Sequence, residues 1–210
     1  MKKLFAEKPD FLIIESFLIC VYLRSSASHL KEVIMIQVRF AGLGGQGIIL
    51  MGEILGEAAV LDKKYVGQAS SYGSEARGSA TKADVVISDS WIDYPEVTEA
   101  DVLACMSQGT YEMYKKKVNP STGMIFVDTQ MVKPDSSSSL KHIPVPANER
   151  ALKELGNRQS ANMVLLGAVV KTVGLVSEEA LLRSLAKRVP ASFLETNRKA
   201  LALGFQLAKS

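Results

Sequence analysis

Cysteine is scarce in this chain. Only Cys20 and Cys105 occur among 210 residues. Two thiols are too few for a disulfide framework, a four-thiolate zinc site or a cubane iron–sulfur cluster. Any such chemistry has to come from another chain. Charge of one sign is lacking as well. Lys and Arg number 25 against 22 Asp and Glu, a net charge of +3, and no like-charged run exceeds Lys115 to Lys117. That balance leaves no nucleic-acid footprint. Long apolar runs are absent too. The candidate from Phe11 to Leu23 is interrupted by Glu15 and falls short of the roughly 20 residues a bilayer requires. No internal repeat is visible. What remains is 47% hydrophobic and 22% charged, which suits a folded globular chain and excludes a disordered one. The length fits one or two domains with a sizeable core.

The first 34 residues read unlike the rest. Lys2 and Lys3 precede the apolar run, and Ser25, Ser26, Ala27 and Ser28 follow it, a faint signal-peptide pattern. Lys8, Asp10 and Glu15 argue against that reading. Met35 opens a clean strand that leads straight into a glycine loop, and a domain beginning there would be complete. Residues 1–34 are therefore expected to be an N-terminal extension, either upstream of a true start at Met35 or a dispensable leader. Residues 35–210 form one expected domain, whose single cysteine is Cys105.

From Met35 onward strands and helices alternate. Met35–Ala41 reads as a strand, and Ile48–Leu61 as a helix with Ile49, Ile54, Leu55 and Ala58 on helical spacing. Tyr65–Ala69, Ala83–Ser88, Asp101–Met106 and Gly123–Asp128 read as further strands. Ser70–Ser79 is small, polar and glycine-containing, so a loop is expected. Ser107–Val118 reads as a helix stopped by Asn119-Pro120. Leu140–Val145 is expected at a sheet edge, because Pro144 cannot donate to a central ladder. The tail is helical over Ala147–Leu155, Ser160–Val173, Ser177–Lys187 and Phe193–Ala208. Ser177 is placed to cap its helix, with Glu178 and Glu179 suiting the first turn. The expected fold is a three-layer α/β/α domain with a largely parallel sheet, a Rossmann-like glycine loop and a helical C-terminal part.

The glycine loop is Gly42-Leu43-Gly44-Gly45-Gln46-Gly47. It fits G-x-G-x-x-G between a strand and a helix. Glycines permit positive φ and close approach, and the helix that follows offers unpaired N–H groups to an anion. A phosphate-bearing ligand could sit here. Equally, the glycines could serve tight strand–helix packing or contact with a partner chain. A dinucleotide site also wants an acid about 20 residues on. That window holds Gly67, Gln68 and Ala69, with neither Asp nor Glu, and no Arg for a 2′-phosphate. A free-standing NAD(P)-binding oxidoreductase is thus the alternative reading, with half its fingerprint missing. A P-loop is excluded, since no Gly-Lys-Ser/Thr follows.

A second unusual stretch is Ser70-Ser-Tyr-Gly-Ser-Glu-Ala-Arg-Gly-Ser79. Glu75 and Arg77 lie among small residues beside Tyr72. Arg77 could bind a carboxylate or phosphate in a forked geometry, or the two charges could form an ordinary ion pair in a solvated loop. Together the two stretches resemble the gamma subunit of the 2-oxoacid:ferredoxin oxidoreductases. In that family the loops appear as G-x-G-G-Q-G and Tyr-Gly-x-Glu-x-Arg-Gly, matched here by Gly42–Gly47 and by Tyr72, Gly73, Glu75, Arg77 and Gly78. Asn162-Met-Val-Leu-Leu-Gly167, and Asn197 followed by Ala200 and Gly204, look similar as well. The resemblance runs from Met35 to about Ala208.

The resemblance implies a subunit that does no chemistry alone, within a cytoplasmic enzyme that converts a 2-oxoacid and CoA to acyl-CoA and CO2 and reduces ferredoxin. Thiamine diphosphate and iron–sulfur clusters would lie on alpha, beta and delta partner subunits, and this chain has neither a Gly-Asp-Gly…Asn segment nor a cluster-binding cysteine run. Leu43 and the Glu75-Ala76-Arg77-Gly78 form look more like the 2-oxoglutarate or branched-chain type than the pyruvate type, and 2-oxoglutarate is the expectation. Ser79 stands where the family commonly has Gly. For Gly42, Gly44, Gly45, Gln46 and Gly47 the implied role is an anion or partner contact. For Tyr72, Glu75 and Arg77 it is contact with CoA or substrate, or an interface. No metal site is expected.

Remaining residues have plainer expectations. Cys105 in its apolar strand should be a buried, inert thiol. Met51 and Met163 should be core. His142 beside Pro144 should be at the surface. Trp91 and Tyr94 follow a strand end, and core packing is expected of them over a pocket or interface.

Overall fold

A computed structural model describes residues 35–73 and 78–208. The extension expected over residues 1–34 lies outside the described residues, as do Glu75 and Arg77. The described strands are β1 (Met35–Leu43), β2 (Tyr65–Tyr72), β3 (Ala80–Ser88), β4 (Val102–Cys105), β5 (Met124–Asp128) and β6 (Lys141–Val145). The helices are α1 (Ile48–Leu61), α2 (Gln108–Tyr114), α3 (Ala147–Leu155), α4 (Ala161–Val173), α5 (Glu178–Arg188) and α6 (Ala191–Leu207).

The strands form one sheet in the order β2-β3-β1-β4-β5-β6. Neighbours from β1 through β4 and β5 to β6 are parallel, while β3 is antiparallel to both β1 and β2. Only β3 runs against the rest, so the expected largely parallel sheet is present with one reversed strand. β6 is an edge, as Pro144 requires.

Period-two alternation sorts the strand residues into two cores. Val102, Ala104 and Phe126 face the larger core with α1, α3, α4, α5 and α6. Leu103, Cys105, Ile125 and Val127 face the other side, against Tyr111 of α2. Three layers result, with a thick helical layer on one face and a thin one on the other. α4 and α6 cross closely at glycines: a Cβ at Gly204 would lie 2.2 Å from the Val164 carbonyl.

Local chemistry explains the helix ends. The Ser177 hydroxyl accepts from the Ala180 N–H, as its cap role predicts, and it donates to Asp62. Ser107 caps α2 by accepting from the Thr110 N–H. α2 stops earlier than expected, and Lys115–Lys117 tighten into a 3-10 turn.

One difference matters for function. Ser70–Tyr72 is strand rather than loop, and β3 starts at Ala80. Each of these residues pairs across the ladder, Ser70 with Ala83, Ser71 with Lys82 and Tyr72 with Thr81. Cross-strand hydrogen bonding overrides the local turn preference of serine. The second motif therefore spans a hairpin connection between β2 and β3. Trp91 and Tyr94 are not core: they are 74% and 59% exposed, with Tyr65 edge-on to Trp91 at 6.3 Å. His142 is half-buried rather than at the surface, because the Tyr111 hydroxyl shares a 2.9 Å hydrogen bond with its Nε2. Met51 and Met163 are core as expected.

Candidate functional site

β1 delivers its glycine loop onto the N-terminus of α1. The turn needs a left-handed residue, and Gly47 supplies it with φ of 74°. The Gly47 carbonyl accepts from the Met51 N–H of the first helical turn. It also receives the Asn162 side-chain amide at 3.4 Å. Asn162 leaves no room there for a side chain: a Cβ on Gly47 would sit 2.2 Å from its Nδ2. The start of α1 is thereby fastened to the start of α4.

Gln46 braces the loop from within. Its Oε1 accepts from the Leu43 N–H at 2.7 Å, and its Nε2 donates to the Met106 carbonyl at 3.0 Å. A side-chain amide offers an acceptor and a donor in one planar group whatever the pH. The brace ties the loop to the end of β4. The Gln46 side chain is thus turned inward, where it determines the loop's shape.

The two sequence motifs meet here. The Gly44 N–H donates to the Ser79 carbonyl at 2.9 Å, and the Gly78 N–H donates back to the Gly44 carbonyl at 3.4 Å. Motifs separated in sequence are joined backbone to backbone because β3 lies beside β1. Between them opens a pocket of about 470 Å3, lined by Leu43, Gly45, Gly47, Ile49, Tyr72 and Thr81 among others. Gly42 is buried behind the Gln46 side chain and does not line it. Gly44, Gly45, Gly47 and Tyr72 do line it.

Among the described residues no charged side chain lines the pocket, so the polarity they supply comes from backbone. α1 begins without a side-chain cap and without an acidic residue in its first turn, so the positive end of its dipole is not neutralised locally. The Gly44 N–H is already committed to Ser79, so open donors for an anion come from the first turn of α1.

Sequence reading missed a buried ion pair under the sheet. Arg39 on β1 and Asp84 on β3 are register partners. Arg39 Nε and Nη2 donate to the two carboxylate oxygens at 2.6 and 2.7 Å, and Lys82 adds a third contact at 2.8 Å. Arg39 also donates to the Val97 carbonyl and lies over the Tyr114 ring. The signal was available: Arg39 is the one charge in β1, and Asp84 is the one charge in the apolar run Ala83–Ile87 of β3. Cys105 is wholly buried, and that burial pushes its thiol well above the ordinary range. Among the described residues, no group of His, Cys, Asp and Glu is arranged to hold a metal, and no helix is long and apolar enough to cross a membrane.

The topology also disposes of the NAD(P) reading. In a dinucleotide-binding unit the second parallel strand lies beside the first and brings its acid to the ribose. Here β3 separates β2 from β1, and the end of β2 carries Tyr72 instead.

Known proteins share this arrangement. The family model for pyruvate ferredoxin/flavodoxin oxidoreductase matches residues 37–207. A 2-oxoglutarate synthase subunit KorC from Methanocaldococcus jannaschii is 40% identical over 176 residues, 82% of this chain and 94% of the relative. The gamma subunit of a keto/oxoacid ferredoxin oxidoreductase from Geobacter sulfurreducens superposes with a TM-score of 0.73 at 36% identity, covering 83% of this chain and 98% of that one. A 2-oxoglutarate:ferredoxin oxidoreductase from Magnetococcus marinus, solved with 2-oxoglutarate, coenzyme A and succinyl-CoA, gives a TM-score of 0.75 at 26% identity. There the match covers 83% of this chain and 31% of the longer chain. With the match extending through both loops, the sheet and the helical tail, this chain belongs to the pyruvate ferredoxin/flavodoxin oxidoreductase family.

Proposed function

We propose that the chain is the gamma subunit of a 2-oxoglutarate-type, CoA-acylating 2-oxoacid:ferredoxin oxidoreductase. The enzyme decarboxylates the 2-oxoacid oxidatively, forms acyl-CoA and CO2, and passes electrons to ferredoxin. The observation that carries this reading is the 40% identity to a 2-oxoglutarate synthase subunit across 94% of that subunit's length. Thiamine diphosphate and iron–sulfur clusters belong to alpha, beta and delta partner subunits, and the chain's two cysteines are too few for a cluster ligand set. The setting is cytoplasmic, where ferredoxin is available.

Within the complex this chain supplies a binding surface. The pocket between the loops, with open N–H groups at the start of α1, suits an anionic group such as a CoA phosphate, or the backbone of a partner chain. Gly44, Gly45, Gly47 and Tyr72 make that surface. Gly42 and Gln46 shape it from behind. Glu75 and Arg77 lie between Gly73 and Gly78 in the sequence and are assigned to CoA, substrate or interface contact.

The test is purification of the native complex through this chain, followed by assay with a panel of 2-oxoacids. Co-elution of a thiamine-binding subunit and a cysteine-rich ferredoxin-like subunit, with CoA-dependent ferredoxin reduction fastest on 2-oxoglutarate, is expected. Recovery of the chain alone, or faster turnover of pyruvate, overturns the corresponding part of the proposal.

A further inference from the structure

The two edges of the sheet are built differently. β6 carries Lys141 at its start and Pro144 within it. Both residue types discourage pairing with another strand. β2 has neither safeguard. Its residues, Tyr-Val-Gly-Gln-Ala-Ser-Ser-Tyr, include no charge and no proline. β3 occupies one side of β2, and among the described residues nothing hydrogen-bonds to the other side. An edge this long, about 27 Å at the usual rise per residue, is a template for strand addition unless something covers it.

Packing onto β2 is confined to its middle, and its outer edge is unpaired among the described residues. On one face Gln68 lies against Gly52 and Gly56 of α1, and on the other Pro95 and Ile92 pack onto Gly67. Aromatic side chains stand at the start of the strand. Tyr65 and Trp91 are 48% and 74% exposed, and large exposed aromatics of this kind anchor protein interfaces. The far end of β2 is Tyr72, which lines the glycine-loop pocket. A strand laid along β2 would run from the aromatic anchor to the mouth of that pocket.

We propose that the outer edge of β2 accepts a β-strand from a companion subunit of the same enzyme. The proposal rests on the reading of this chain as an oxidoreductase subunit. A companion is favoured as occupant over a second copy because the matching domain of the Magnetococcus marinus protein is 31% of a longer chain. In that protein the domain is covalently joined to other parts of the same polypeptide. In a separate subunit, non-covalent contacts must replace that linkage, and main-chain pairing at an uncharged edge supplies them.

The test is amide hydrogen exchange on the full chain alone and on the purified complex. Alternate N–H groups along a strand point outward. Every second amide from Tyr65 to Tyr72 should therefore exchange quickly in the free chain and slow by about tenfold or more in the complex, with the β6 amides unchanged. The double variant Ser70→Lys/Ser71→Lys places a charge on each face of the edge. It should fold with an unchanged melting temperature yet assemble with about tenfold weaker affinity. A complex in which the β2 amides exchange as in the free chain overturns the proposal and leaves the subunit reading intact. Alternating protection that grows with concentration in the free chain assigns the edge to a second copy and overturns the companion. Failure of the chain to join any companion overturns the subunit reading itself.

Discussion

Replacing Gln46 by glutamate tests the internal brace of the glycine loop at a single atom. The Leu43 N–H keeps its acceptor, because one carboxylate oxygen stands where Oε1 stood. The other oxygen then faces the Met106 carbonyl at the 3.0 Å now spanned by an N–H donor. One hydrogen bond is lost, at about 1 kcal/mol, and two acceptors oppose each other in a half-buried position, which adds about 1–2 kcal/mol. The expected loss at pH 7 is about 2–3 kcal/mol, or about 4–12 °C in melting temperature for a chain of this size. The pH dependence has a definite sign. Facing a carbonyl raises the folded-state pKa of the introduced carboxyl above the unfolded value of about 4.3. The folded state then binds the proton more readily, so the deficit is full above the folded pKa and shrinks as pH falls through it. The protonated acid can again donate to Met106. Urea unfolding followed by circular dichroism at pH 7 and pH 5 measures both effects. A Gln46→Glu variant within about 0.5 kcal/mol of the parent at pH 7 would refute the brace, since that is the range of an ordinary surface change.

Three further outcomes are expected. Gly47→Ala should cost about 2 kcal/mol or more, from the left-handed φ and the collision with Asn162. Adding Asn162→Ala should recover part of that loss, so additive losses in a double-mutant cycle would contradict the contact. Asp84→Ala strands the buried Arg39 guanidinium and should destabilise by about 3–5 kcal/mol in denaturant unfolding; a loss typical of an exposed pair, under about 1 kcal/mol, would argue against it. Cys105 should resist a thiol reagent in the native chain and label only on unfolding, as mapped by peptide mass spectrometry. Rapid native labelling at Cys105 would show that burial does not hold its thiol protonated.

The helical tail was legible because its signals are local. Ser177 with Glu178 and Glu179 announces the start of α5, and Pro144 announces an edge strand, whatever surrounds them. The G-x-G-x-x-G spacing likewise announced a strand, a turn at Gly47 and a helix. Hairpin length was not legible. Ser70–Tyr72 has turn composition, and only the β3 ladder makes it strand. Trp91 and Tyr94 misled for a related reason. Their bulk is core-like, but the β2 edge beside them is open.

By itself the sequence determined the class of fold, the two motifs, the absence of a cluster-binding thiol set and the family resemblance. These depend on residue type and spacing along the chain, and they hold before any contact is known. Tertiary structure alone decided that the motifs meet, because β3 inserts between β1 and β2 and brings Ser79 to Gly44. It also turned Gln46 inward, paired Arg39 with Asp84 and, among the described residues, left the outer edge of β2 without a strand partner. Each of these depends on which strands become neighbours, and strand order is set by the packing of the whole chain rather than by any segment of it.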